Sequence, residues 1–320
     1  MSAFVARGPT LTDSVQCGFM NVAETFAVTT QIDDLRRLVA AARASGKRIG
    51  CVPTMGALHQ GHMSLVERAR ELSDFVVVTI FVNPTQFAPQ EDLAQYPRPL
   101  EADLSACRSA GVDVVFLPGA DALYPPGFST WATVDELSER WEGASRPTHF
   151  RGVTTIVLKL LNIVQPDVAC FGPNAFQQQA GLRRMVRDLD VPVEIVTCPT
   201  IREPDGLALS SRNAYLSADE RKAATVLSRC LQRADEQLSS PNANIAAVSA
   251  ELKTMLDAEP LVAPDYIAIV DPETLAPISE SQPRMAVLLA ARVGQTRLID
   301  NCLVDLTGQS PSPSSVDHRP

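Results

Sequence analysis

The 320-residue chain lacks the features that mark secreted and membrane-spanning proteins. No apolar run approaches the roughly 20 residues that a membrane-spanning helix needs. The first nineteen residues contain no basic segment followed by an apolar core, so a signal peptide is not expected. The seven cysteines form no Cys-x-x-Cys pair, which favours reduced thiols over a disulfide framework. We therefore expect a cytoplasmic protein with no membrane partner.

Positive charge is also scarce, because the formal net charge is −9 and no basic block occurs. A nucleic-acid partner is therefore not expected. An anionic substrate would have to be bound by local positive groups rather than by the overall field. Hydrophobic residues make up 45% of the chain and charged residues 20%, which is ordinary for a globular protein with one large or two modest cores.

Apolar segments alternate with helical patterns through the first two-thirds of the chain. Strands are predicted at 48–52, 75–82, 112–117, 167–171 and 193–196. Helices are predicted at 32–44, 63–72, 100–110, 153–164 and 176–189. This alternation predicts an α/β fold with a Rossmann-like, doubly wound parallel sheet, in which ligands bind at the carboxyl ends of the strands.

From about residue 200 the pattern changes to two helices followed by two strands. The helices are predicted at 217–238 and 245–256, and the strands at 266–270 and 286–289. We expect a smaller C-terminal α+β lid domain here. The predicted organisation is an extension without regular structure at 1–19, a Rossmann-like ligand-binding domain at 20–199, the lid at 200–306 and a disordered tail at 307–320. Met1 and Met20 are both candidate start residues.

Two histidines three residues apart, His59 and His62, follow the strand predicted at 48–52 and are flanked by Gly56 and Gly61. Residues at i and i+3 of a helix share a face, and a helix N-terminus attracts phosphate. The pair therefore points to nucleotide chemistry. The same spacing is also typical of capping or surface histidines, so it leaves both interpretations open.

Further motifs follow in a fixed order along the chain. They are PTMGALHQGH at 53–62, FVNPTQF at 81–87, EDLAQYPR at 91–98, EGASRPTHFRGV at 142–153, FG at 171–172, FQQ at 176–178, DGLALSSRN at 205–213 and RLIDN at 297–301. Taken together they resemble the pantothenate synthetase family, from about residue 20 to residue 306. This family belongs to a broader adenylating superfamily that carries the His-x-Gly-His motif.

The resemblance implies an enzyme that condenses pantoate with β-alanine, with ATP and pantoate bound by the domain at 20–199. ATP activates pantoate as an enzyme-bound pantoyl adenylate, and AMP and pyrophosphate are released. The resemblance also implies Mg²⁺ with the ATP, and a homodimer. A simple nucleotidyltransferase would share the His-x-Gly-His motif but would not need two glutamines for a small hydroxy acid. An aminoacyl-tRNA synthetase is disfavoured by the acidic balance of the chain.

The resemblance also implies roles for individual residues. His62, as proton donor, and His59 are the catalytic candidates. The ATP site would comprise Met55, Gly56, Ala57, Leu58, His59, Gln60, Gly61, His62, Gly172, Pro173, Asn174, Ala175, Ile201, Leu209, Ser210, Ser211 and Arg212. Pantoate would contact Gln86 and Gln178. β-Alanine would contact Gln86 and Asn83. Asp103, with Glu101 beside it, is the candidate neighbour of the metal ion.

The chain departs from the family at 173–175, where the family carries Glu-Lys-Asp and this chain carries Pro-Asn-Ala. Asn174 can donate a hydrogen bond to a phosphate but lacks the positive charge of the lysine. We favour an unchanged reaction in which Arg212 and magnesium carry more of the charge, because the other motifs are retained. A paralogous ligase for a different acid or amine, and a weakly active or inactive relative, are the alternatives.

Overall fold

The structure, a computed structural model, describes residues 26–87, 93–172 and 176–307. Its larger sheet has six parallel strands in the order β1-β4-β3-β2-β5-β6. These strands are β1 Ala27–Thr29, β2 Ile49–Thr54, β3 Phe75–Ile80, β4 Val114–Phe116, β5 Val168–Phe171 and β6 Glu194–Thr197. The predicted Rossmann-like fold is confirmed.

Helices connect these strands and cover both faces of the sheet. They are α1 Ile32–Ala44, α2 Gln60–Leu72, α3 Leu100–Ser109, α4 Ala120–Leu123, α5 Glu142–Ser145, α6 His149–Val164 and α7 Phe176–Asp188. The central strands are buried on both sides, which explains their continuous apolar sequences. No helix among the described residues combines the length and the apolar character needed to cross a bilayer.

The C-terminal part has its own hydrophobic core, formed between three helices and a three-stranded antiparallel sheet. The helices are α8 Ala218–Ala224, α9 Val226–Leu238 and α10 Ile245–Asp257, and the strands are β7 Val262–Val270, β8 Arg284–Val293 and β9 Thr296–Asp305. The domain boundaries given above remain predictions. The extension at 1–19 and the tail from 308 lie outside the described residues.

Several element predictions need correction. The helix predicted at 217–238 is divided into α8 and α9 at Thr225, whose hydroxyl donates to the carbonyl of Lys222 at 2.7 Å and competes with regular helix bonding. Strand β9 was not predicted, because Asp300 and Asn301 are buried polar residues that break its apolar alternation. Strand β1 was also missed, since it has only three residues.

The order of the strands places the motif-bearing loops side by side. Strand β2 lies between β3 and β5, and β6 lies beyond β5. Because all six strands are parallel, the loops that follow β2, β3, β5 and β6 meet at one edge of the sheet. The sequence motifs at 53–62, 81–87 and 171–178 all begin at this edge.

Candidate active site

The two histidines lie together at the start of α2, with ring centroids 4.1 Å apart. Helix α2 begins at Gln60 rather than at the predicted residue 63, so His59 caps the helix and His62 lies in its first turn. The backbone N–H of Gly61 donates to His59 Nδ1 at 3.1 Å, and the N–H of His59 donates to His62 Nδ1 at 3.3 Å.

This geometry reconciles the capping interpretation with the ligand-binding one. Because both Nδ1 atoms accept hydrogen bonds, each neutral ring carries its proton on Nε2. Capping therefore uses one nitrogen of each ring and leaves an Nε2–H donor on the other. The two donors, next to a helix N-terminus, suit an anion such as a phosphate.

Burial keeps both rings neutral. The pKa of His62 falls to about 3, chiefly because the ring is removed from water and secondly because His59 lies beside it. Burial also lowers the pKa of His59. Both histidines are therefore uncharged at neutral pH, and each can donate a hydrogen bond from Nε2 to an incoming anion.

We expect the protein to lose stability on acidification because of His62. Its pKa in the folded state lies below the ordinary value of 6.5, so only the unfolded chain takes up this proton as the pH falls. Above pH 6.5 this proton leaves the free energy of unfolding unchanged, and at pH 5 it should lower that free energy by about 2 kcal/mol. Urea unfolding of the wild type and of His62→Gln at pH 7 and pH 5 measures the effect. Equal losses in the two proteins would contradict it.

The loop that carries the histidines is anchored by Asp103 of α3. Gly56 and Ala57 both have positive φ, +81° and +51°, and at Ala57 this left-handed conformation is strained. The Asp103 carboxylate accepts the N–H of Ala57 at 2.9 Å and that of Leu58 at 2.8 Å. It is only 3% exposed. Asp103 therefore holds the loop, and Glu101 is exposed on the same helix. The predicted position of Asp103 beside a metal ion stays a prediction.

Gln86 ends a short 3₁₀ helix, Pro84–Gln86, that follows β3. Asn83 Nδ2 donates to Gln86 Oε1 at 3.0 Å and to the carbonyl of Gly152 at 3.2 Å, and Asn83 is fully buried. The Asn83 Oδ1 accepts the hydroxyl of Tyr124 at 3.0 Å. The side-chain amide of Asn83 thus orients Gln86, and its predicted contact with β-alanine stays a prediction.

A close backbone approach fixes this loop against α6. A Cβ atom at Gly152 would lie 2.3 Å from the carbonyl oxygen of Thr85, so only glycine fits there. His149, the first residue of α6, places its Nδ1 2.8 Å from the carbonyl oxygen of Gln86. Arg146, which follows α5, donates to the same oxygen at 3.0 Å. Two side chains therefore fix the backbone of Gln86.

The three consecutive glutamines of α7 have different environments. Gln177 is buried and donates to the carbonyls of Leu137 and Arg140 at 2.6 and 2.7 Å. Gln179 is also buried and donates to the carbonyl of Gly172. Gln178, the predicted pantoate contact, is half-buried and lines a cavity to which Gln177 also contributes. Gln178 is thus the most exposed of the three glutamines.

The Ser210–Arg212 turn is fixed to the C-terminal part of the protein. Arg202 donates to both carboxylate oxygens of Asp300 on β9, at 2.7 and 3.1 Å. Asn213, which follows the turn, donates to Glu203 at 2.9 Å. The Ser210 hydroxyl accepts the N–H of Arg212 at 3.3 Å. The guanidinium of Arg212 is exposed and forms no hydrogen bond or ion pair with any other residue that the structure describes.

One cavity brings four of the predicted segments together. It is lined by Met55 after β2, Gln86 after β3, Gln178 of α7 and Arg212 of the Ser210–Arg212 turn. Its opposite wall comes from the C-terminal sheet, with Tyr266, Leu288, Ile299 and Asn301. These four predicted site residues therefore converge between the two sheets, at the edge where the parallel strands end.

The remaining predicted ATP contacts that the structure describes, His59 and His62 among them, do not line this cavity. Leu209 Cδ2 is 3.8 Å from the position that a Cβ of Gly61 would occupy, so the residue before the Ser210–Arg212 turn lies near the start of α2. The N–H of Leu209 donates to the carbonyl of Ile201 at 2.9 Å. Gln60 is exposed at the start of α2. Pro173, Asn174 and Ala175 lie outside the described residues.

A charged cluster at the cavity was not predicted from the sequence. Arg297 of β9 donates to both oxygens of Glu142 at 2.7 Å and also to Asp265 at 2.6 Å. Tyr266 donates to the same Glu142 at 2.9 Å. The pair joins α5 to the C-terminal sheet. Its residues lie within the motifs at 142–153 and 297–301, but a pairing over 155 positions leaves no local signal in one sequence.

Comparison with known protein families gives one consistent result. A family model described as pantoate-beta-alanine ligase matches residues 27–303 of this chain. The pantothenate synthetase of Roseiflexus castenholzii is 51% identical over 266 residues, which cover 83% of this chain and 96% of that protein. The pantothenate synthetase of Moorella thermoacetica is 50% identical over 272 residues, covering 85% and 96%.

Solved structures give the same picture. A crystal structure of pantothenate synthetase from Thermus thermophilus has a TM-score of 0.81 and 46% identity, and the match covers 86% of this chain and 98% of that one. A pantoate-beta-alanine ligase from Francisella tularensis, crystallised with beta-gamma ATP and beta-alanine, has a TM-score of 0.71 and 33% identity, covering 87% and 98%.

Proposed function

Because the chain belongs to the pantoate–β-alanine ligase family, we propose that it condenses pantoate with β-alanine to form pantothenate, with ATP as the activating substrate. The resemblance drawn from the sequence motifs is confirmed by this membership. The observation that carries the proposal is the single cavity lined by Met55, Gln86, Gln178 and Arg212, which come from four separate segments. A small hydroxy acid and a nucleotide phosphate meet in such a place.

The reaction has two balanced steps. A carboxylate oxygen of pantoate attacks the α-phosphorus of ATP, an O–P bond forms, and the bond to the bridging oxygen breaks so that its electron pair leaves with pyrophosphate. The amine of β-alanine then attacks the carbonyl carbon of the adenylate. A C–N bond forms, the C–O bond to AMP breaks, and the amine loses a proton. Positive or hydrogen-bond-donating groups at the α-phosphate accelerate the first step.

The histidine pair and the arginine divide the phosphate-binding role. His59 and His62 offer uncharged Nε2–H donors at the N-terminus of α2, where negative charge develops on the phosphoryl oxygens. Arg212 offers a guanidinium with no other partner among the described residues, and Ser210 and Ser211 offer hydroxyls beside it. The nucleoside is contacted by the remaining residues of the predicted ATP site, which are Ile201, Leu209, the loop 55–58 and Gly172.

Gln86 and Gln178, which both line the cavity, bind pantoate. An amide side chain donates to a carboxylate and accepts from a hydroxyl, which matches a hydroxy acid. Gln86 also contacts β-alanine. Asn83 is the second β-alanine residue, and its amide also fixes Gln86.

Magnesium accompanies the triphosphate. Mg²⁺ keeps several waters and binds chiefly to substrate phosphates, with few protein ligands. This fits a site where Asp103 is occupied by two backbone N–H groups and where the described residues contain no cluster of three metal-binding side chains. A homodimer and a cytoplasmic location complete the proposal. Analytical ultracentrifugation tests the dimer.

Pantoate-dependent exchange of labelled pyrophosphate into ATP tests the function. The exchange should require pantoate and no amine, and pantothenate should form once β-alanine is added. A panel of other hydroxy acids and amines serves as the control. Exchange with a different acid would identify a paralogous ligase, and nucleotide binding without any exchange would identify an inactive relative.

The departure at 173–175 gives a separate prediction. Asn174 lies outside the described residues, but it stands where the family carries a lysine, so Asn174→Lys restores that positive charge. We expect the exchange rate to rise by about tenfold, since a charged hydrogen bond to phosphate stabilises more than a neutral one. Asn174→Gln, which adds length but no charge, is the matched control. An unchanged or lower rate in Asn174→Lys would favour the paralogue.

A further inference from the structure

A second, wider groove adjoins the cavity on the other side of Arg212. Its volume is about 660 Å³, and it is lined by the Ser210–Arg212 turn and by the hairpin that joins β8 to β9. Arg212 and Arg146 line both spaces, so the groove and the cavity adjoin at these side chains. A molecule leaving the phosphate site past Arg212 would enter this groove.

Two arginines lie directly opposite each other in the hairpin. Arg292 of β8 pairs with Arg297 of β9 in the register of the sheet, so their side chains share one face, and both line the groove. Like charges in such a cross-strand pair destabilise a sheet unless each is neutralised. Arg297 is neutralised by Glu142 and Asp265.

Arg292 has no such partner. Within the ranges 26–87, 93–172 and 176–307 its exposed guanidinium forms no hydrogen bond or ion pair, and the same is true of Arg212. The acidic groups of the groove are already occupied, because Glu142 binds Arg297 and Asp300 binds Arg202. The groove therefore presents two uncompensated guanidinium groups, at Arg212 and Arg292.

We propose that this groove binds the leaving pyrophosphate, with Arg292 as its second anchor after Arg212. The inference rests on the proposed function, in which the bond between the α-phosphorus and the bridging oxygen breaks and the pyrophosphate carries away the electron pair. Two guanidinium groups suit a diphosphate, because each can bind phosphate oxygens in a forked geometry. Gln295 and Thr296, at the tip of the hairpin, add uncharged donors.

Pantoate-dependent ATP–pyrophosphate exchange measures this directly, because it yields a KM for each ligand. In Arg292→Gln the ratio of the KM for pyrophosphate to the KM for ATP should rise about tenfold, as expected for losing one charged contact. Arg292→Lys should restore part of the loss. Calorimetric titration of the free enzyme with pyrophosphate should show the same order of affinities.

The matched control is Arg284→Gln, at the opposite end of β8 and away from the groove. Its ratio of KM values should equal that of the wild type. Arg292→Gln should not lower the melting temperature, because it removes a like-charged neighbour of Arg297, whereas a purely structural residue would. An unchanged ratio, or equal rises in both KM values, overturns the inference. Absence of pantoate-dependent exchange in the wild type would instead overturn the proposed function, and the calorimetric titration would still test the anion site.

Discussion

Replacing His62 by alanine should lower the rate of pantoate-dependent adenylation by about 10²- to 10³-fold, the usual cost of losing one donor to a developing oxyanion. The Nε2–H of His62 is fixed by the hydrogen bond from the His59 N–H to its Nδ1 and is uncharged at neutral pH. It therefore needs no reorganisation when charge builds on the phosphoryl oxygens. Initial rates of exchange at saturating ATP and pantoate give the measurement.

Two further variants separate chemistry from folding in this test. His62→Gln places an amide N–H near the position of Nε2 and should recover part of the rate. Glu67→Ala alters an exposed residue of the same helix and should leave the rate unchanged. If His62→Ala retained more than a tenth of the wild-type rate while its fold was intact, His62 would be a capping residue only.

Replacing Arg297 by methionine should lower the free energy of unfolding by about 3 kcal/mol, since removing one partner of a buried ion pair leaves the other charge uncompensated. The carboxylate of Glu142 is only 10% exposed and would keep Tyr266 as its one remaining side-chain partner among the described residues. The N–H of Glu142 donates to Gln177, the neighbour of Gln178, so the KM for pantoate should rise as well. Urea unfolding and exchange kinetics measure the two effects.

The double variant Glu142→Gln/Arg297→Met decides whether the loss arises from the uncompensated charge. It should be more stable than Arg297→Met alone, because no buried carboxylate is left without a cation. Arg284→Met is the control, since its ion pair with Asp305 is exposed and should contribute less than about 1 kcal/mol. A double variant that is no more stable than Arg297→Met would contradict this explanation.

The strand–helix alternation was predictable because the parallel sheet is buried on both faces. Valine-rich β3 and the apolar stripe of α6 are local patterns that one sequence reveals. Strand β9 was not predictable in this way. Its buried Asp300 accepts a hydrogen bond from Arg202, and its buried Asn301 lines the cavity. Both arrangements depend on residues far away in the sequence.

The candidate site was predictable as a set of motifs, but not in its division of labour. The motifs placed Gln86, Gln178 and Arg212 at strand ends and turns, and the structure brings them to one cavity. They did not reveal that Asp103 and Asn83 fix the loops of the site, because an acidic or amide side chain has the same identity whether it binds a ligand or a backbone N–H. The Glu142–Arg297 pair depends on the docking of the two sheets and has no local signal.

The anchoring of the Ser210–Arg212 turn to β9 through Arg202 and Asp300 has a consequence for inhibition. The histidines lie at the start of α2, which packs on the parallel sheet, whereas Arg212 lies in the C-terminal part of the molecule. A compound bound between these two parts would move the guanidinium away from the imidazoles and stop adenylation. It would not need to resemble either carboxylic acid substrate. Because the cavity proposed for pantoate lies between the same two halves, such a compound would also raise the KM for pantoate.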